Sequence, residues 1–162
     1  MHRRGRPGRP FAILWSPVEQ CFIRRPMLVS AVAESARPRI DGFFGSLTVN
    51  GLKYGHDIII HADGSVTDRY HGSPPEKRTR LNQVYATDYF HIPLAEWELE
   101  FLEAERPEVI IIGAGFKSMM PITPRAKQVL ASYEVKIVPT PRAIELANAE
   151  TRRYVAILHS TC

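Results

Sequence analysis

Four consecutive β-branched residues, Val109-Ile110-Ile111-Ile112, run straight into Gly113-Ala114-Gly115, and no other stretch of the chain restricts the fold so tightly. A strand that is apolar at successive positions needs cover on both faces, which is the situation of a strand inside a layered α/β sheet. The residues that follow supply the cover. Thr123 predicts an N-cap for a helix from Pro124 to Ser132, and Val135 to Val138 reads as the next strand. Thr140 is expected to cap a further helix with Pro141 at its first position, and Tyr154 to Leu158 reads as the last strand. A strand, helix and strand of these lengths imply a right-handed parallel crossover.

The preceding half has a different grammar. Phe43 to Val49 reads as a strand, Asn50-Gly51 as a type I′ turn and Leu52 to Tyr54 as the return, because Asn-Gly supplies the two positive φ angles that such a turn requires. Ile58-Ile59-Ile60 forms a second buried run, turned by Ala62-Asp63-Gly64 into Ser65 to Thr67. His71 to Arg80 is rich in Gly, Pro and charge and reads as a surface loop, with a short strand at Tyr89 to Ile92 beyond it. Pro93 then suits the first position of a helix that aligns Leu94, Trp97, Phe101 and Leu102 and ends before Pro107. Its acids Glu96, Glu100 and Glu103 form a solvated face. The expected fold class is α/β, a three-layer fold with a mixed central sheet and an antiparallel N-terminal β-meander.

The chain has 162 residues, enough for one well-packed core. Residues 1–39 are expected to be a disordered basic leader or an over-extended start, and residues 40–162 a single α/β domain. The basic balance is local: residues 1–26 hold six arginines against Glu19. The rest carries the other 15 of the 21 basic residues and 16 of the 17 acids. A body of that balance lacks the cationic face required to hold a phosphate backbone, so no nucleic-acid partner is expected. No apolar run reaches the roughly 18–20 residues of a membrane span. The two cysteines, Cys21 and Cys162, cannot build a disulfide framework or a thiolate zinc site, and neither a metal nor a cofactor is expected. Prolines 7, 10, 17 and 26 would break a presequence helix. The expected location is the cytoplasm in a prokaryote, or the mitochondrial matrix if the leader is a transit peptide.

Chemistry has few places to reside. Glycines at the carboxyl end of a parallel strand either make a purely structural turn or let backbone N–H groups approach an anion, and on the second reading Gly113, Gly115, Phe116 and Lys117 are candidate ligand-binding residues. Ser118 at the third glycine position and the delayed helix depart from a dinucleotide fingerprint. Thr140 and Arg142 begin a helix on a neighbouring strand and are placed at the same crevice. His159 and Cys162 close the set: an imidazole beside a thiol makes a nucleophile where the ring reaches the sulfur. No serine-hydrolase elbow and no His-Glu-x-x-His pattern occurs, and no catalytic residue is assigned.

Gly45-Ser46-Leu47-Thr48-Val49-Asn50-Gly51, the strand and turn Val109 to Gly115, Thr140 with Ala143, and His159-Ser160-Thr161-Cys162 together resemble one known family. It is the small-domain family that contains mitochondrial complex I (NADH:ubiquinone oxidoreductase) assembly factor 3 and the adipogenesis-associated domain protein. The resemblance covers roughly residues 40–162. It implies a three-layer α/β fold, no established catalytic activity, and action through protein partners. At Tyr70 the chain departs from relatives, which often carry tryptophan there. The expected function is a non-enzymatic protein-interaction or assembly-factor domain for respiratory complex I or a similar assembly. The alternative is a small-ligand or anion-binding protein or enzyme that uses the Gly113–Gly115 crevice with Arg142 and Cys162.

Overall fold

A computed structural model describes residues 37–69 and 92–162. The antiparallel opening is present as three strands, β1 (Ile40–Phe43), β2 (Ser46–Val49) and β3 (Leu52–Tyr54), in one sheet of order β1-β2-β3. The stretch expected as one strand from Phe43 bends at Phe44-Gly45, where Gly45 takes φ +80°, so its first residue pairs with Ser46. Asn50 (φ 51°) and Gly51 (φ 83°) make the hairpin turn that their sequence demands.

The second sheet has five strands. β4 (Ile58–Ile60), β5 (Val66–Asp68), β6 (Val109–Gly113), β7 (Val135–Val138) and β8 (Tyr154–Leu158) lie in the order β5-β4-β8-β6-β7. β8, β6 and β7 run parallel, while β4 pairs antiparallel to β8 and β5 antiparallel to β4. The β4-β5 hairpin therefore extends the mixed sheet rather than the meander.

Because side chains alternate along a strand, each central strand feeds two cores. Val109 and Ile111 of β6, Ile58 and Ile60 of β4, and Ala156 and Leu158 of β8 face one side. They pack there against Ile40, Leu47 and Val49 of the small sheet and Ala143, Ile144 and Ala147 of a helix. Ile110, Ile112, Ile59, Val155 and Ile157 face the other side, against Leu94, Leu99, Leu102, Ala126 and Leu130. The molecule thus has three layers, as the doubly apolar strands require.

The helices depart from expectation in two places. The segment after Pro93 is not one helix: a 3₁₀ turn spans Glu96–Leu99 and α1 spans Leu102–Glu105, closed by Arg106 in the left-handed region (φ 47°) ahead of Pro107. Leu94 is instead drawn into a bridge with Ile122, which moves the helix start past Pro93. α2 (Pro124–Leu130) is capped as expected, with the Thr123 hydroxyl accepting from Ala126 N at 3.1 Å. α3 (Thr140–Ala149) includes Thr140 as a helical residue. Its N-cap is Pro139, and the threonine hydroxyl is engaged elsewhere. The loop expected at 71–80 and most of the strand expected at Tyr89 to Ile92 lie outside the described residues. Among the described residues, no helix is long and apolar enough to cross a membrane.

Candidate functional site

The site forms where β6 and β8 end. His159 N donates to Gly113 O (2.9 Å), carrying the β6-β8 ladder one step past the strand. The next two residues are held on either side: Gly45 N donates to Ser160 O (2.6 Å), and Phe116 N donates to Thr161 O (2.8 Å). Residues 159–162 consequently cross the mouth of the Gly113-Ala114-Gly115 turn. A Cβ on Gly115 would stand 1.8 Å from the Cys162 carbonyl oxygen, and Gly115 also needs its φ of +100°. A Cβ on Gly113 would stand 2.8 Å from Thr140 Oγ1. The Thr140 hydroxyl accepts from Gly115 N at 3.0 Å and donates to His159 O at 2.7 Å. It ties the glycine turn to the crossing segment, which is why it does not cap α3.

Beneath this segment lies a buried charge network. Arg69, 1% exposed, directs Nη1 to Asp57 Oδ2 (2.9 Å), Nε to Glu98 Oε1 (3.0 Å) and Nη2 to Ile92 O (3.2 Å). Glu98 also accepts from Ala95 N at 2.8 Å. Asp57 Oδ2 accepts from His159 Nδ1 at 2.6 Å, and Oδ1 accepts from Ser160 N (2.8 Å) and Ser160 Oγ (3.1 Å). Burial alone would raise the Asp57 pKa. The His159 hydrogen bond, the Arg69 charge and the Ser160 amide overcome it and hold the carboxyl well below its ordinary range. Burial raises Glu98 against the pull of Arg69.

An ionised Asp57 accepts only, so it fixes the hydrogen on His159 Nδ1 and leaves Nε2 as the acceptor. Nε2 lies 3.2 Å from Thr161 Oγ1 and 3.7 Å from Cys162 Sγ. Cys162 is half-buried. A carboxylate thus orients an imidazole, and a thiol that donates to Thr161 Oγ1 at 3.5 Å stands beside the ring.

Of the residues expected at the site, Gly113, Gly115, Thr140, His159 and Cys162 converge, and Phe116 flanks them. Lys117 is exposed beside the turn. Arg142 is exposed on α3 and pairs with Glu145 one turn on, at 2.5 Å. Asp57, Arg69 and Glu98 escaped the sequence reading, since Asp57 precedes a strand, Glu98 hides within an acidic run and Arg69 borders a loop. A weak signal did exist: Glu98 lies between the apolar Trp97 and Leu99, off the face occupied by Glu96, Glu100 and Glu103. Two surface recesses, of about 180 and 330 Å³, lie away from the glycine turn. The first is bordered by Arg37, His61, Arg153 and Tyr154, the second by Glu96, Glu100, Glu103 and Tyr133.

An aromatic pair adjoins the crossing segment. Phe44 and Phe116 meet edge to face with centroids 5.9 Å apart, and Phe43 and Phe44 are 63% and 58% exposed. Met119, in the loop that carries Phe116, is 43% exposed. Lys53 Nζ lies 5.7 Å from the Phe43 ring centroid. Exposed apolar side chains thus stand on both segments that clamp residues 160 and 161, with Lys53 beside Phe43 and the exposed Lys117 next to Phe116 in the chain.

Residues 42–159 match the model of a family described as a protein of unknown function (DUF498/DUF598). Among solved structures, the chain is similar to the conserved hypothetical protein PH1505 from Pyrococcus horikoshii OT3. The two are 27% identical over 76% of this chain and 98% of that one, with a TM-score of 0.61. A structure named MT938 is 36% identical over 77% of this chain and 99% of its own, with a TM-score of 0.58. XCC1710 from Xanthomonas campestris, 14% identical over 83% of this chain and 92% of its own, shares the fold at a TM-score of 0.55. No curated protein matches the sequence.

Proposed function

Because the chain belongs to the family described as a protein of unknown function (DUF498/DUF598), we propose its role from its surface: a protein-interaction domain of the assembly-factor kind, acting by docking rather than turnover. The observation that carries this reading is the edge-to-face pair of Phe44 and Phe116, with Phe43 and Met119 exposed on the same two chain segments. Large apolar side chains standing together on a surface are costly to hydrate, and aromatic residues are the usual anchors of protein interfaces. Lys53 and Lys117 suit a partner segment with apolar anchors and carboxylates on its flanks. The resemblance to the complex I assembly-factor family makes a subunit of a respiratory complex the expected partner.

The test is affinity purification of the full chain after gentle lysis, with a Phe44→Ser, Phe116→Ser variant run in parallel. A specific respiratory subunit should be retained by the wild-type chain and lost by a variant of unchanged melting temperature. Equal retention by both chains, or retention of no partner by either, would contradict the proposal.

A further inference from the structure

The line Asp57, His159, Cys162 has no part in docking, and it supports a chemical reading that goes beyond that role without depending on it. We propose that Cys162 is an acyl-acceptor site: its thiol takes an apolar acyl group from a thioester donor, with His159 as base and Asp57 as positioning residue.

Three observations converge on this assignment. The first is geometric. His159 Nε2 faces Cys162 Sγ at 3.7 Å, while Nδ1 is held at 2.6 Å by a carboxylate that Arg69 and Ser160 keep in its acceptor form. A nucleophile within reach of a base that is oriented by a third group is the general requirement for activating a thiol. The second is pre-organisation. The backbone of residues 159–161 is pinned by Gly113 O, Gly45 N and Phe116 N, and the His159 carbonyl by the Thr140 hydroxyl. The ring is thus placed before any substrate arrives, which lowers the entropic cost of reaching a reactive geometry, and Sγ stands beside it with Thr161 Oγ1 at 3.5 Å. The third is the surroundings of the thiol. Cys162 is half-buried, and the Phe44–Phe116 pair borders the segment that carries it: Phe116 N donates to Thr161 O, and Phe44 precedes Gly45, whose N donates to Ser160 O. In the proposal, an apolar acyl chain on Cys162 lies toward that pair.

The step balances without any further reactant. His159 Nε2 takes the Sγ proton as sulfur attacks the thioester carbonyl carbon, forming a new carbon–sulfur bond. The carbon–sulfur bond to the donor then breaks, and the departing thiolate recovers the proton from His159. One acyl group moves to Cys162, one free thiol leaves, and nothing is oxidised or reduced.

The test treats the full chain with the octanoyl and acetyl thioesters of N-acetylcysteamine and follows acylation by intact mass and peptide mapping. Cys21, the chain's other cysteine, is the internal reference. The expected result is acylation of Cys162 ahead of Cys21 in the native chain, an advantage that disappears in urea. Octanoyl should be preferred over acetyl, with that preference reduced in Phe116→Ala. A folded His159→Gln variant should lose about a hundredfold in rate, the ordinary contribution of a general base. Asp57→Asn should lower the rate and change its pH profile, whereas Cys162→Ser should abolish acylation at that position. Should the histidine or aspartate variants fail to fold, the native-against-urea comparison decides alone. Equal rates for Cys162 in native and denatured chains, or an undiminished rate in folded His159→Gln, would overturn the base-assisted thiol. Equal use of the two donors would overturn the apolar acyl class.

Discussion

Arg69 and Gly115 show how much one position can carry. Arg69 joins two buried carboxylates from different parts of the chain, and through Asp57 it reaches the segment that holds His159 and Ser160. Truncating one partner of a buried ion pair strands the other charge, at a cost of about 3–5 kcal/mol. Arg69→Met should therefore destabilise the chain by about that much in urea titration, and an effect below about 1 kcal/mol would show that Arg69 does not hold the network together. Gly115 works by absence. A methyl group there would overlap the Cys162 carbonyl and sit on a backbone of positive φ, a conformation that costs other residues on the order of 1–3 kcal/mol before any clash. Gly115→Ala should lose at least that much stability, whereas Gly51→Ala, with open space around it, should show the backbone term alone.

At the scale of elements, the sequence signals that survived are those written in local stereochemistry. Asn50-Gly51 specified its turn, and the runs at Ile58 and Val109 specified strands with two covered faces. Thr123 before Pro124 specified a helix start. Removing that last cap with Thr123→Ala should cost about 1 kcal/mol, read as a shift in urea midpoint at unchanged slope. What was illegible depended on distant partners. Thr140 looked like a cap by its neighbours, yet its hydroxyl bonds Gly115 and His159, which approach only once β6 and β8 are paired. Glu98 looked like one acid among several until Arg69 arrived to receive it. The glycine turn read either as a structural bend or as a cradle for an anion, and residues 160–162 lie across its mouth, which no local pattern announces.

For the molecule as a whole, the buried network links stability to pH. Asp57 is held below its ordinary value of about 3.9, so its contribution is complete above that value and is lost as pH falls beneath it. Glu98 is raised, so its contribution has the opposite sense: complete below about 4.3 and lost as pH rises through its folded value. The Asp57 carboxylate has four donors, and its shift is the one whose stabilisation is lost toward low pH, so it should govern the acid limb. Urea unfolding should show stability falling as pH drops below about 4, and Asp57→Asn should flatten that limb. An unchanged slope in the variant would assign the acid limb to other groups.

The site depends on residues 159–161 being clamped across the glycine turn by Gly45, Phe116 and Asp57. Amide hydrogen exchange of the full chain, resolved by residue, tests this most directly, since it reads the opening of each bond where it is made. The amides of Gly45, Phe116 and Ser160 should exchange slowly in the native chain and speed up together in Arg69→Met. Exchange of these three at unprotected rates, while the β6 amides stay protected, would contradict the clamp and the site built on it.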